Sequence, residues 1–353
     1  MANSSGSSDN NSLRPINFNY ENIDLTVTSG SNFWLDKAFT WLVFILAAMT
    51  VATLFAMSLV IFRQAQPAVA KFGLGFLWSQ EWDTAEELFG ALPYVYGTLV
   101  SSTIAILLAI PIGLSVALVT SENFLPTSIR NIIAFVVELI AAIPSVIIGL
   151  WGIFVLIPVL EPLQKWIAKV SVVSLCLPRL PFIPTKNLLC LPRFPLFDTP
   201  DPVGTNMLTA GVILAIMILP TIAAISRGVL LVIPKELRSA SMALGGTRWE
   251  TIFRVLLPAG FSGIVSASML ALGRALGETM AVTMVVGNFA QIKASLLEPA
   301  YTIPAVLANE FAEAQQGLHI GALSYLGLIL FALTLIVNIF AVLLVQLLGK
   351  RSE

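Results

Sequence analysis

Apolar positions in this chain run on without a helical or strand period. Six stretches are apolar around their whole circumference, at residues 38–62, 93–119, 129–160, 207–232, 256–287 and 319–348. About 20 residues of helix cross the hydrocarbon core of a bilayer. The pattern therefore predicts an all-α membrane protein with six spanning helices. The third run is too long for one straight span, and Pro144 in "AAIPSVIIGLWG" predicts a kink or break there. Pro220 predicts the same in the fourth. Neighbouring helices can satisfy the carbonyls that such prolines free.

The polar stretches are few. Residues 1–37 open with "MANSSGSSDNNS" and read as a flexible tail that cannot bury a core. No cleavable leader is apparent, so the run at 38–62 reads as an uncleaved anchor. Composition agrees: 57% of residues are hydrophobic and 11% charged, against about 25% charged in soluble domains. The net charge of −1 offers no field for nucleic acid. Lys and Arg in short loops set the orientation. Arg227, Lys235, Arg238, Arg248 and Arg254 cluster at 227–257, and "GKRSE" closes the chain at 349–353. Both favour an orientation with the N- and C-termini inside. The loop 161–206 would then be external; it is also basic, but its length weakens its vote.

That external loop holds the two cysteines, Cys176 and Cys190, in a repeat, "LCLPRLPF" at 175–182 and "LCLPRFPL" at 189–196. Its four prolines forbid regular helix. A disulfide in an oxidising compartment and two free thiols both fit. Two cysteines and the single His319, far apart, make no metal ligand set, and His319 reads as a satisfied loop or helix-end residue.

The segment 233–258 is more than a tether. Pro234 suits the first turn of a helix, and "KELRSASMAL" is made largely of good helix formers. Gly245 and Gly246 stop that helix. Thr247 with Glu250 three residues on is a capping box that opens a second helix. A compact helix–turn–helix between two spans suits docking to another protein, although a merely well-capped connector has the same local pattern.

Here the chain resembles the permeases of binding-protein-dependent ABC importers. Their EAA loop has three residues at Ser239, Ala240 and Ser241, then Gly245, an aliphatic residue at Val255, and Leu257–Pro258. Ser239 stands where that pattern has Glu and Ser241 where it has the second Ala, while the spacing is kept. "GTLVSSTIAILLAIPIGLSVALVTSE" resembles the second-span region of the same permeases. "ELIAAIPSVIIGLWGIFVLIP", "GRALGETMAVTMVVGN" and "TIPAVLANEFAEA" resemble its phosphate-transport branch. The resemblance implies a six-helix type I ABC importer permease fold in a bacterial cytoplasmic (inner) membrane, with core residues 93–348 and a cytoplasmic coupling helix. It implies a homologous permease partner, two ATP-binding subunits that use ATP and Mg, and an external phosphate-binding protein. Gly246, Thr247, Glu250 and Pro258 complete the expected coupling element.

Two charges interrupt the fifth run, Arg274 and Glu278 in "ALGRALGETMAV". Spaced i and i+4, they would share one helical face. That face includes Ala267, Ala271 and Gly277, and Gly273 with Gly277 permits close helix approach. Ionisable residues inside a membrane are functional candidates, and the arginine fork matches phosphate oxygens bidentately. An adjacent carboxylate would keep the arginine from becoming a permanent trap. Glu278 and Glu138, in the third run, are the candidates for that role; a buried ion pair that only fixes helix register is the alternative.

Ser145 could add a neutral donor, as could Ser101, Ser102 and Thr103, although such hydroxyls more often bond to their own helix. Glu310 and Glu313 share a face of a short helix opened by Thr302; a solvated face or a contact with the external protein is expected there.

The chain has no G-x-x-x-x-G-K-[ST] loop and no hydrolase or metalloprotease motif. It is expected to be non-catalytic and to bind no cofactor of its own. An ion-coupled transporter with Glu138 and Glu278 as proton carriers, or the same architecture for sulfate, thiosulfate or molybdate, are the rival readings.

Overall fold

The computed structural model describes residues 33–172, 195–197, 199, 202–314 and 317–349. Most of the expected tail, Cys176, Cys190 and the last four residues lie outside the described residues. Regular structure among the described residues is helical, apart from two isolated bridges, Asp83–Leu88 and Gly287–Ala300. Among the described residues six helices are long and apolar enough to cross a membrane: Lys37–Leu77, Leu92–Ser121, Ser145–Lys169, Met207–Val232, Arg248–Gly277 and Leu318–Leu343.

The chain divides into two units, residues 1–57 and 58–353. In the first, helix α1 (Phe33–Phe72) begins before the expected anchor and carries exposed Trp34, Phe39, Phe44 and Phe55. A stretch of helix apolar on all sides with its large side chains exposed suits lipid. The helix continues past the expected end at 62 into the second unit.

The second unit is built around α2 (Leu92–Ser121) and α6 (Met207–Val232). Ile213, Ile218 and Ile222 of α6 are buried against Ala105 and Ala109 of α2. Helix α6 runs unbroken through Pro220. Thr98, Ser101, Ser102 and Thr103 of α2 donate to the carbonyls of Tyr94, Gly97, Thr98 and Leu99. The hydroxyls of Ser101, Ser102 and Thr103 bond to their own helix, the commoner fate, while Thr98 Oγ1 also accepts from Ile303 N at 2.9 Å.

Two expected spans are each divided. The third run forms α3 (Thr127–Ala141) and then a helix from Ser145 to Val172, made of α4 (Ser145–Trp151), a π turn (Gly152–Leu156) and α5 (Ile157–Val172). Pro144 causes the break: it disfavours helical geometry at Ile143 and takes an extended ψ of 138° itself. The second piece carries the span, and helix extends into the start of the expected loop at 161–206. The fifth run begins earlier than expected, with α8 (Arg248–Thr251), a π turn (Ile252–Leu256) and α9 (Leu257–Gly277), and it stops at Gly277. Glu278 is extended, with ψ 125°, and α10 (Met280–Val285) follows. Between α6 and α8 lies α7 (Lys235–Ala243). The chain closes with α11 (Ile303–Glu310) and α12 (Leu318–Gly349).

Candidate anion path and coupling element

The two helix breaks are brought side by side. A Cβ placed on Gly149 would sit 3.1 Å from Ala281 Cα, and one on Gly152 would sit 3.1 Å from Val285 Cγ1. Residues rising along α4 thus meet residues rising along α10, so the two helices are parallel. Their N-terminal ends, at Ser145 and Met280, share one end of the pair. Only glycine allows so close an approach.

Arg274 projects from the last turn of α9 and is exposed. Among the described residues its one polar contact is long, Nη1 to Thr221 Oγ1 at 3.5 Å. Thr221 lies near the middle of α6, which sets Arg274 near mid-span. Among the described residues Arg274 forms no ion pair. Among the described residues Gly273 and Gly277 meet nothing within 4 Å, so the close helix approach expected of them is not made there.

Arg274 and Glu278 do not share a continuous helical face, because the helix ends between them. Two glycines in its last turns weaken that end. Glu278 is half-buried. Glu138 is not with them: it lies on α3 and lines a narrow crevice with Val116, Thr120, Ala223 and Arg227. A pairing of Glu138 with Arg274 is therefore not made. Ser145 is half-buried in the first turn of α4, one residue after Pro144.

The segment 233–258 folds as its residues demand. Pro234 stands just before the first residue of α7. Gly245 has φ +86°, the left-handed conformation that ends the helix without Cβ strain. The capping box is complete: Thr247 Oγ1 accepts from Glu250 N at 3.2 Å, and Thr247 N donates to Glu250 Oε2 at 2.9 Å. Those bonds from the Thr247 backbone and hydroxyl hold the Glu250 carboxyl below its ordinary range. Ser241, where the permease pattern has Ala, joins the two helices through Thr251, Oγ to Oγ1 at 2.9 Å. Ser239 bonds back to Glu236 O at 3.0 Å, Ala240 O accepts from Leu244 N at 3.1 Å, and Gly246 N donates to Ser241 O at 3.1 Å. Pro258 sits in the first turn of α9.

The sequence alone does not reveal what anchors this element. Arg238 donates through Nε and Nη2 to Glu122 Oε1, at 3.0 and 2.9 Å, and to the carbonyls of Ile233 and Leu230 at 2.8 Å each. Glu122 caps α2 and the two carbonyls end α6. One guanidinium thus ties α7 to two spans. The free carbonyls at a helix end attract cations, which is the only local hint of it. Around the tie, Leu244, Trp249 and Phe253 are exposed, and Trp249 lies between Phe124 and Phe253 with ring centroids 5.6 and 6.2 Å away.

At the opposite end, Glu310 is engaged: its Oε2 accepts from Trp82 Nε1 at 3.0 Å and lies 3.4 Å from His319 Nε2. His319 begins α12 and stacks on Phe89, in keeping with a helix-end role. Glu313 is exposed.

A bundle of spanning helices with a knitted loop between α6 and α9 defines a membrane permease subunit, and the chain belongs to the family of binding-protein-dependent transport system inner membrane components, whose pattern matches residues 109–353. Among its relatives, the phosphate transport system permease protein PstC of Mesorhizobium japonicum is 42% identical over 291 residues, 82% of this chain and 84% of that protein. PstC of Haemophilus influenzae is 36% identical over 312 residues, 88% of this chain and 93% of that protein. A bacterial alginate ABC transporter shares the fold at a TM-score of 0.54 and 17% identity, over 88% of this chain and 96% of that one.

Proposed function

We propose that this chain forms half of an ATP-driven inward path for inorganic phosphate, with Arg274 as its mid-membrane anion contact. The observation that carries the reading is the state of Arg274: a guanidinium near mid-span, exposed on this chain, with one long hydroxyl contact. A charge left this unsatisfied inside a membrane is costly unless something else completes it. A phosphate oxygen and the facing surface of a second, homologous permease subunit would do so. Glu278 follows the same helix end and competes for the arginine when the anion leaves. The helix beginning at Ser145 adds a hydroxyl and the partial positive charge of its first turn. The names of the PstC relatives support phosphate over other oxyanions.

The coupling element, residues 233–258, would face the cytoplasm and dock one of the two ATP-binding subunits through Leu244, Trp249 and Phe253. ATP and Mg would be used there, and an external phosphate-binding protein would deliver substrate. Moving one negative charge into a compartment held negative costs about 2.3 kcal/mol per 100 mV, and a dianion about twice that. An open pore would leak, so the path must be closed on one side at every stage.

The test is phosphate uptake by vesicles holding this chain with its permease, ATP-binding and phosphate-binding partners. Arg274→Gln and Glu278→Gln should each lower uptake while the complex stays assembled. Uptake at the wild-type rate in both variants would remove the site from these residues. Stronger competition by sulfate or molybdate than by unlabelled phosphate would change the substrate.

A further inference from the structure

The crevice that Glu138 lines also holds the arginine of α6, Arg227. Arg227 Nε is buried and finds no partner among the described residues, and neither does the neighbouring Ser226 Oγ. Glu138 is the carboxylate lining that crevice, which it shares with Ala134 and Val137 of α3. No ion pair joins the two among the described residues. Arg227 is half-buried with its Nε enclosed while Glu138 is exposed, and an enclosed donor left unpaired is costly. Such an arrangement persists where the helices have a second position that satisfies it.

The surroundings show what would move. Helix α3 is joined to the span at Ser145 through the Pro144 break, so α3 can swing without bending the span. Thr120 of the crevice lies two residues before Glu122, and Arg227 lies three residues before Leu230. Glu122 and the Leu230 carbonyl are both held by Arg238 of α7. The crevice is thus built on the two helix ends to which the coupling element is tied.

We infer that Arg227 and Glu138 are positioning residues that close into an ion pair in one state of the transport cycle. Closure draws α3 closer to α6 and shifts the break at Pro144, after which α4 packs on α10. The pair touches no substrate in this role; it transmits movement of α7 to the mid-span site. The inference rests on the proposed transport function, and its decisive readout does not require uptake.

The experiment uses the assembled transporter in vesicles. Glu138→Gln and Arg227→Gln should each lower phosphate-stimulated ATP hydrolysis and uptake by about tenfold, the scale of a coupled pair. The double variant should be no worse than either single one. The exchange Glu138→Arg with Arg227→Glu should recover most of the loss. Single losses that multiply in the double variant, or an exchange no better than the singles, would overturn the pairing. Separately, Glu138→Cys with Arg227→Cys, in protein carrying Cys176→Ser and Cys190→Ser, should cross-link under oxidant in either the nucleotide-free or the vanadate-arrested state, not in both equally. Equal yield in the two states would overturn the latch. If the wild type takes up no phosphate, the proposed substrate fails while the cross-link still decides the latch. A variant that does not assemble is recognised by its failure to purify with the partner subunits, and the uncharged cysteine pair then carries the decision.

Discussion

Arg238 and Arg274 are the same side chain in two opposite conditions. Arg238, in the coupling element, has four short contacts to a carboxylate and two helix-end carbonyls. Arg274, near mid-span, has one contact at 3.5 Å. Hydrogen-bonding capacity that is filled by the protein holds structure together; capacity left open is free for something else. The contrast separates the two jobs of a transport subunit. One region must transmit force without yielding, and the other must bind and release.

Substitution tests that separation most sharply at Arg274. Arg274→Gln should lower phosphate uptake by about 10- to 100-fold, the scale of one or two lost charge-assisted bonds, with little change in thermal unfolding of the purified complex. A loss of folding in step with uptake would make Arg274 structural and erase the contrast. Arg238→Ala should do the reverse. The Arg238–Glu122 pair is largely buried, with side chains 18% and 16% exposed. Its removal strands Glu122 and two carbonyls at a cost of about 2–3 kcal/mol, discounted from fully buried pairs for that partial exposure. Differential scanning measurements on the solubilised complex should show the drop. Arg238→Lys should rescue little, since an ammonium cannot span the same three acceptors.

Finer changes sharpen the picture of the coupling element. Ser241→Ala restores the residue usual in the permease pattern but removes the link to Thr251. It should cost about 1 kcal/mol, read as faster amide exchange in 248–256 with unchanged exchange near Arg274. Acidification is expected to have the smallest effect. The Glu250 carboxyl is held below its ordinary range by Thr247. A group with a lowered folded pKa contributes stability that is present above its unfolded value and is lost as pH falls through the folded one. Exchange at the Thr247 amide should therefore quicken in that acidic window, and Glu250→Ala should abolish the pH dependence. A Thr247 amide that stays protected there would mean the cap is held by something other than the carboxylate.

Much of the coupling element was legible from its residues. Pro234, Gly245, Thr247 and Glu250 act on bonds within a few residues of themselves, so their pattern carries through to the fold. The mid-span site was legible only in part. Its charges stood out against an apolar background, yet the shared face of Arg274 and Glu278 assumed a helix that does not continue past Gly277. Glu138, one of two candidates to face Arg274, lines a crevice with Arg227 instead, because α3 is parted from the span at Pro144. Its crevice mate Arg227 and the tie from Arg238 to Glu122 were not foreseen.

The sequence by itself determined that this is a six-span helical membrane protein with a capped helix–turn–helix after α6. Insertion and helix capping respond to composition over about 20 residues or fewer, which a linear reading contains. Only the tertiary structure decided which charges are satisfied. Arg238 and Glu122 lie 116 residues apart, and Arg274 and Thr221 lie 53 apart. Whether such groups meet depends on how α2, α6 and α9 pack, and on the two helix breaks that packing stabilises. The same side chain becomes a fastener or an open site through its neighbours, and packing alone supplies them.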